Sequence, residues 1–146
     1  MMQESEIISY LHGNNITRSM FCDVISYEEL PMYPITSPCG VYIVNTDKIT
    51  GPGKHWVVIL KPQEGIIEFF DSLGKNPNHY SAEIESFLYL QDSKYKYSTK
   101  RIQGNQPVCG NYCILYSYLR CGGMNMENIL ELFTSDLSIN DSMVKF

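Results

Sequence analysis

Two places in the chain set a reactive side chain at the head of a strongly apolar run. Cys109 follows the loop 104–108 and opens CGNYCILYSYLR; His55 follows DKITGPGK and opens HWVVILK. A thiol and an imidazole brought together become a nucleophile and a general base. At the first turn of a helix, unpaired backbone N–H groups and the positive end of the dipole favour a thiolate. The following Gly110 removes a side chain that would crowd an incoming substrate. The remaining cysteines are Cys22, Cys39, Cys113 and Cys121. Five in all, at spacings of 17, 70, 4 and 8, they match neither a disulfide framework nor a zinc ribbon, so no metal site is expected. Most of them read as small buried apolar side chains in a reducing compartment.

Only three histidines can serve as base. His12 ends an amphipathic helix and suits a cap or surface role; His79 lies in a Pro-Asn-His-Tyr turn and reads as solvated. His55 differs in opening a buried strand, although a histidine there can also be purely structural. A thiol–imidazole pair needs a group that fixes the ring tautomer and stabilises the imidazolium. Asp71, within Phe69-Phe70-Asp71-Ser72-Leu73-Gly74, ends the strand that pairs with the one headed by His55. The same carboxylate could simply cap the turn that follows. Acyl transfer also needs N–H donors aimed at the developing oxyanion, commonly a side-chain amide and the nucleophile's own N–H. Gln103, six residues before Cys109, is a candidate, and Gln106 competes by proximity.

These residues must be positioned by the surrounding elements. SEIISYLH (5–12) places Ile7, Ile8 and Leu11 on one helical face, with Ser5 as cap and Gly13 as stop. Residues 13–40 read as irregular, with Pro31, Pro34 and Pro38 as breakers. VYIVNT (41–46) reads as a strand, and HWVVILK and GIIEFFDS as an antiparallel hairpin turning at 62–65. Residues 81–91 carry Ile84, Phe87 and Leu88 at helical spacing, with Glu83 and Glu85 in the first turn. KYKYSTKRIQ (94–103) reads as an edge strand. CGNYCILYSYLR is apolar nearly all round, which predicts a helix buried through the middle of the fold. A short helix near 125–133 and a loose tail follow. The class is α+β: a small, mostly antiparallel sheet packed with a central buried helix and flanking helices.

The 146 residues contain no repeat or long linker and suit a single domain over 1–146. Hydrophobic residues are 44% and charged residues 18%, enough for a packed core. No run approaches the length of a membrane span, and the acidic, polar start MMQESEIISYLHGNN lacks the pattern of a signal peptide, so no membrane and no secretion are expected. Eleven Lys+Arg against sixteen Asp+Glu give a net charge of −5, which argues against binding driven by phosphate neutralisation.

The ordered set His-Trp, Phe-Asp-Ser-Leu-Gly and Gln-(five residues)-Cys-Gly resembles the cysteine peptidases that include adenain, the adenovirus maturation protease, and the Ulp1-type SUMO proteases. The order His, acid, Gln, Cys is that group's and reverses the papain order. The likeness to adenain covers most of the chain: Ile43-Val44-Asn45-Thr46 before the Gly-containing loop, Gln103-Gly104-Asn105 before Cys109-Gly110 and Cys113, and Asp141-Ser142-Met143 near the end. The resemblance implies an adenain/Ulp1-like fold, with Cys109 as nucleophile, His55 as base and then acid, Asp71 as its orienter and Gln103 as oxyanion donor. Trp56 is implied to pack beside the histidine. Asp71 follows the wider group, since adenain usually carries Glu there. Adenain attaches an activating peptide through a cysteine upstream of the Gln strand; residues 81–102 contain none. Viral DNA also assists adenain; the acidic balance of this chain argues against that here, and the corresponding Lys94, Lys96, Lys100 and Arg101 cluster reads first as a solvated strand face.

What the resemblance implies is a monomeric cysteine endopeptidase of a virus or virus-like element, cleaving capsid or core precursors during maturation through an acyl-thioester. It would act in the virion and in the nucleus or cytoplasm of the infected cell. No cofactor is required, though an activating peptide or DNA is possible by analogy. Loops 13–40 and 47–54 are candidate docking or gating segments. The alternatives are a SUMO- or ubiquitin-like deconjugase with the same active-site parts, and a catalytically inactive binding module.

Overall fold

Val, Ile and Leu dominate β2 (Gly40–Asn45) and β3 (Trp56–Lys61), which pair antiparallel with Ile43 opposite Val58 and Val44 opposite Val57. Branched side chains suit a pleated surface, and a strand with no polar alternation needs cover on both faces. The computed structural model, which describes residues 1–33 and 40–146, supplies it. On one face Ile43, Trp56, Val58, Leu60 and Phe70 pack against α1 (Glu4–Gly13) and α4 (Cys109–Cys121). On the other, Val44, Val57, Ile59 and Phe69 pack with Ile84, Phe87 and Leu88 of α3 (Ala82–Gln91). Helix α4 buries eight of its residues, from Cys109 to Ser117, as its all-round apolar sequence requires.

The sheet order is β1-β2-β3-β4-β5. β4 (Glu68–Phe70) returns antiparallel to β3, giving the expected hairpin. The two flanking pairs are parallel: β1 (Phe21–Ser26) with β2, and β5 (Lys96–Tyr97) with β4. The sheet is therefore mixed, with an antiparallel centre. A parallel pair needs a crossover, and α2 (Pro77–Tyr80) with α3 provides the one between β4 and β5. The fold class α+β holds.

Four local readings change. β1 lies within the stretch expected to be irregular; a register shift between Phe21 and Asp23 interrupts its alternation, and Pro31 falls after it, in a 3-10 turn over Tyr27–Met32. Cys39, Pro34 and Pro38 lie outside the described residues. Of KYKYSTKRIQ only Lys96–Tyr97 joins the sheet; beyond it, the N–H groups of Ile102 and Gln103 both donate to Ser72 O, at 2.9 and 3.0 Å. Helix α1 is capped at Gln3 rather than Ser5, with Glu6 reaching back to the Gln3 N–H at 3.2 Å. The tail is not loose. After α5 (Met126–Glu131) it forms α6 (Leu137–Met143), capped by Asp136 and burying Asn140 and Asp141.

Candidate active site

The hairpin register sets Val58 opposite Phe70, so the residue before β3 and the residue after β4 emerge at the same end of the sheet. These are His55 and Asp71. The His55 Nε2–H donates to Asp71 Oδ1 at 2.6 Å, and Asp71 is fully buried. Helix α4 lies on this sheet with its N-terminus at the same corner, and the Cys109 side chain interacts with the imidazole. Since Nε2 faces Asp71, Nδ1 is the nitrogen left for the thiol. Burial alone would pull the imidazole pKa down; hydrogen bonds and charge from Asp71 and Cys109 outweigh it and push it up to about 9. For Asp71, burial would raise the carboxyl, but His55, Tyr80 and the Leu73 N–H hold it below the ordinary carboxylate value.

Asp71 has four donors. Besides His55, Oδ1 accepts from Leu73 N at 3.1 Å, while Oδ2 accepts from Lys75 N at 3.1 Å and from the Tyr80 hydroxyl at 2.5 Å. The turn cap considered for Asp71 is thus present together with the histidine bond. Tyr80 also stacks on the imidazole, with centroids 5.4 Å apart. Attention to His79 in the Pro-Asn-His-Tyr turn passed over its neighbour: His79 is exposed, whereas Tyr80 reaches the site. The only signal was a phenol in a turn shortly after the acid. The exposed His12 stacks edge-on with Phe21.

Ser72 couples this corner to the glutamine. Its hydroxyl donates to Gln103 Oε1 at 2.6 Å, which turns the amide NH2 towards the loop before Cys109, where it donates to Gln106 O at 2.9 Å. Among the described residues one amide hydrogen stays uncommitted. Gln103 is buried and Gln106 exposed, so the two glutamines are not equivalent. Trp56 is buried in the apolar cluster that contains Cys109, but the ring stacked on His55 is that of Tyr80. The Trp56 indole donates to Met2 O at 2.9 Å, and a Cβ added at Gly110 would lie 3.0 Å from Met2 Cβ and 3.4 Å from Trp56. The space that Gly110 leaves open is lined by Trp56 and covered by Met2. A neighbouring cavity of about 190 Å³ runs between residues 1–4, Trp56 and loop 48–53.

Of the other cysteines, Cys113 is fully buried and burial pushes its thiol well up, but Cys22 is exposed, against the expectation for most of them. Loop 47–54 is laced to its base: Asn45 Oδ1 accepts from Asp47 N and Lys54 N, and Asp47 Oδ2 from Gly53 N. In the basic cluster, Lys96 pairs with Glu127, Lys100 caps Leu130 O at 3.0 Å and Arg101 bonds Gln103 O at 2.8 Å. Among the described residues no group of three His, Cys, Asp or Glu could hold a metal, and no helix is long and apolar enough to cross a membrane.

No family model matches the chain. It is 29% identical over 124 residues to a protein of African swine fever virus called a cysteine protease, and 28% identical to the counterpart in another isolate, called a SUMO-1 cysteine protease. Each match covers 77% of this chain but 44% of the relative, so the chain spans less than half the length of the curated relatives it matches. The crystal structure of the African swine fever virus pS273R protease superposes with a TM-score of 0.63 at 19% identity, over 99% of this chain and 66% of that one. AvrA, solved as a deletion variant with IP6 and CoA, superposes at 0.53 with 14% identity, over 94% of this chain and 56% of that one. The resemblance read from the motifs is supported twice, by similarity to a viral cysteine protease and by its fold. The AvrA likeness, at 14% identity, shows the fold alone.

Proposed function

We propose that the chain is the peptidase unit of a viral or virus-like-element cysteine endopeptidase. The observation that carries this reading is an imidazole hydrogen-bonded to a buried carboxylate and interacting with the side chain of a cysteine at a helix N-terminus. His55 takes the Cys109 proton at Nδ1, and the sulfur attacks the scissile carbonyl carbon. The oxyanion is held by the free amide hydrogen of Gln103 and the Cys109 backbone N–H. His55 then protonates the departing amine, leaving an acyl-thioester on Cys109. Water, deprotonated by His55, hydrolyses it and restores the thiol. Asp71 holds the ring's tautomer and stabilises the imidazolium throughout. This sequence needs no metal or cofactor.

The substrates are capsid or core precursors, cut beside small residues, a preference compatible with the absence of a side chain at Gly110, beside Trp56. The site of action is the maturing virion and the infected cell. A second reading, removal of SUMO-like modifiers, is favoured by a relative called a SUMO-1 cysteine protease. Both are tested with the purified chain and its Cys109→Ala variant on co-expressed precursors and on a panel of modifier–fluorophore conjugates, with and without added peptide or DNA. Precursor cleavage that Cys109→Ala abolishes supports the first reading; conjugate cleavage alone supports the second. Cleavage retained without the thiol refutes both.

A further inference from the structure

Helix α6 sends one carboxylate into the loop that separates Gln103 from Cys109. Asp141 is 1% exposed. Its Oδ1 accepts from Gly104 N at 2.9 Å and from the Tyr112 hydroxyl at 2.8 Å; its Oδ2 accepts from Gln106 N at 3.1 Å. The approach is close: a Cβ at Gly104 would stand 2.9 Å from Asp141 Oδ2 and 3.2 Å from Leu137 O, so α6 would have to give way. Asn140 reinforces the contact by donating to Ile102 O at 3.0 Å.

The carboxylate fixes the far side of the loop as well. With the Gln106 N–H turned to Asp141, the Gln106 carbonyl accepts from two groups: the Gln103 amide NH2 and the Val108 N–H, both at 2.9 Å. The first is the side-chain oxyanion donor of the proposed mechanism. The second belongs to the residue immediately before Cys109, whose own N–H is the other donor. Tyr112, in the first turns of α4, ties Asp141 to the helix that carries the nucleophile; its single phenolic hydrogen is directed at Asp141 Oδ1 at 2.8 Å, with Ile102 O also within 3.1 Å.

We infer that Asp141 is a positioning residue for the oxyanion site, holding the 104–106 arch so that Gln103 and the Cys109 N–H converge. This rests on the peptidase reading above. The role is distinct from that of Asp71: one carboxylate sets the base, the other sets the donors, and neither touches substrate.

Asp141→Asn is the informative substitution. It keeps the shape but has one acceptor oxygen and one NH2, so either Gly104 N–H or Gln106 N–H faces a donor. Loss of one oxyanion donor costs about 10²–10³ in kcat and a misplacement of about 1 Å about 10². The expected result is a kcat, per active site titrated with iodoacetamide, about 10- to 100-fold lower, with KM within about twofold. The rate at which iodoacetamide alkylates Cys109 stays within about twofold, because the thiol and its base are untouched. Inhibition by a peptide aldehyde ending in glycinal, whose hemithioacetal oxygen occupies the oxyanion site, weakens in parallel with kcat. If Asp141→Asn lowers only the titratable fraction, with kcat per site and aldehyde affinity unchanged, Asp141 is merely structural and the inference fails. A wild-type chain that alkylates but binds no aldehyde overturns the peptidase reading and this inference together.

Discussion

β4 ends next to one buried carboxylate and begins with another, and the two have nearly the same partners. Asp71 meets an imidazole and the Tyr80 hydroxyl; Glu68 meets the Arg120 guanidinium, at 2.7 and 3.1 Å, and the Tyr116 hydroxyl. Each phenol is stacked, Tyr80 on His55 and Tyr116 on Phe70. The same helix serves both, with Cys109 at its start and Arg120 in its last turn. What separates the corners is the nitrogen partner. Burial would weaken the Arg120 charge, but Glu68 holds it above the ordinary guanidinium value, so it is a fixed counter-ion. His55, pushed up to about 9, can gain and lose its proton and also interacts with the Cys109 side chain. A buried carboxylate with a phenol and a cation is therefore no sign of catalysis by itself; the titratable partner and the nucleophile make the difference.

Removing each carboxylate's charge separates the corners most sharply. Asp71→Asn leaves His55 without its anion and disturbs its tautomer, and activity per titrated site is expected to fall about 10²–10⁴-fold. Glu68→Gln strands a buried guanidinium. The expected cost is about 3 kcal/mol of folding stability, the lower end for a broken buried pair because Arg120 is 17% exposed, with activity per folded molecule unchanged. Denaturant titration and single-site kinetics on both variants decide it. Equal losses of activity would erase the distinction.

The pH dependence divides the same way. His55 is raised in the fold from 6.5 to about 9, so its contribution to stability is fully present below about 6.5 and is lost as pH rises through about 9. Catalysis follows, because the leaving amine takes its proton from the imidazolium: kcat/KM should decline on the alkaline side through about 9. Asp71→Asn shifts that limb to lower pH, whereas Glu68→Gln leaves it in place. A limb unmoved by Asp71→Asn would detach the group from the reaction.

The two corners also differ in how much of them the sequence displays. Cys109 and His55 stand out because thiols and imidazoles are scarce and each begins an apolar run after a loop. The β3–β4 hairpin follows from the apolar runs Trp56–Leu60 and Ile66–Phe70, the second broken only by Glu68, on either side of the Pro62–Gly65 turn, and it alone brings His55 to Asp71. Tyr80 stays hidden because its role depends on where a four-residue helix lands. Asp141 is hidden for a related reason: LSINDSM has no apolar stripe, and α6 docks through buried Asn140 and Asp141. β1 is masked by its bulge, and the end of the 94–103 run by hydrogen bonds from Ile102 and Gln103 that go to Ser72 O, beyond the end of β4. Burial, not spacing, distinguishes Gln103 from Gln106. The hydrophobic pattern reports what packs on the sheet; it is silent where polar groups fix the loops that carry the chemistry.

The gentlest comparison removes only the phenolic oxygens. Tyr80→Phe keeps the ring stacked on His55 but takes one of four donors from Asp71, leaving the imidazole bond and two backbone N–H groups in place. A hydrogen bond to a charged group contributes about 1.5–3 kcal/mol, and the other three donors share the compensation, so activity should fall about 10-fold, with a slight upward shift of the alkaline limb because the less solvated carboxylate holds the imidazolium proton more tightly. Tyr116→Phe keeps the stack on Phe70 and the Arg120–Glu68 pair, so it should cost about 1–2 kcal/mol of stability and no activity. Both variants keep size and packing, which leaves the hydroxyl as the sole change at each end of β4. Activity lost in Tyr116→Phe but not in Tyr80→Phe would reverse the assignment of the two corners.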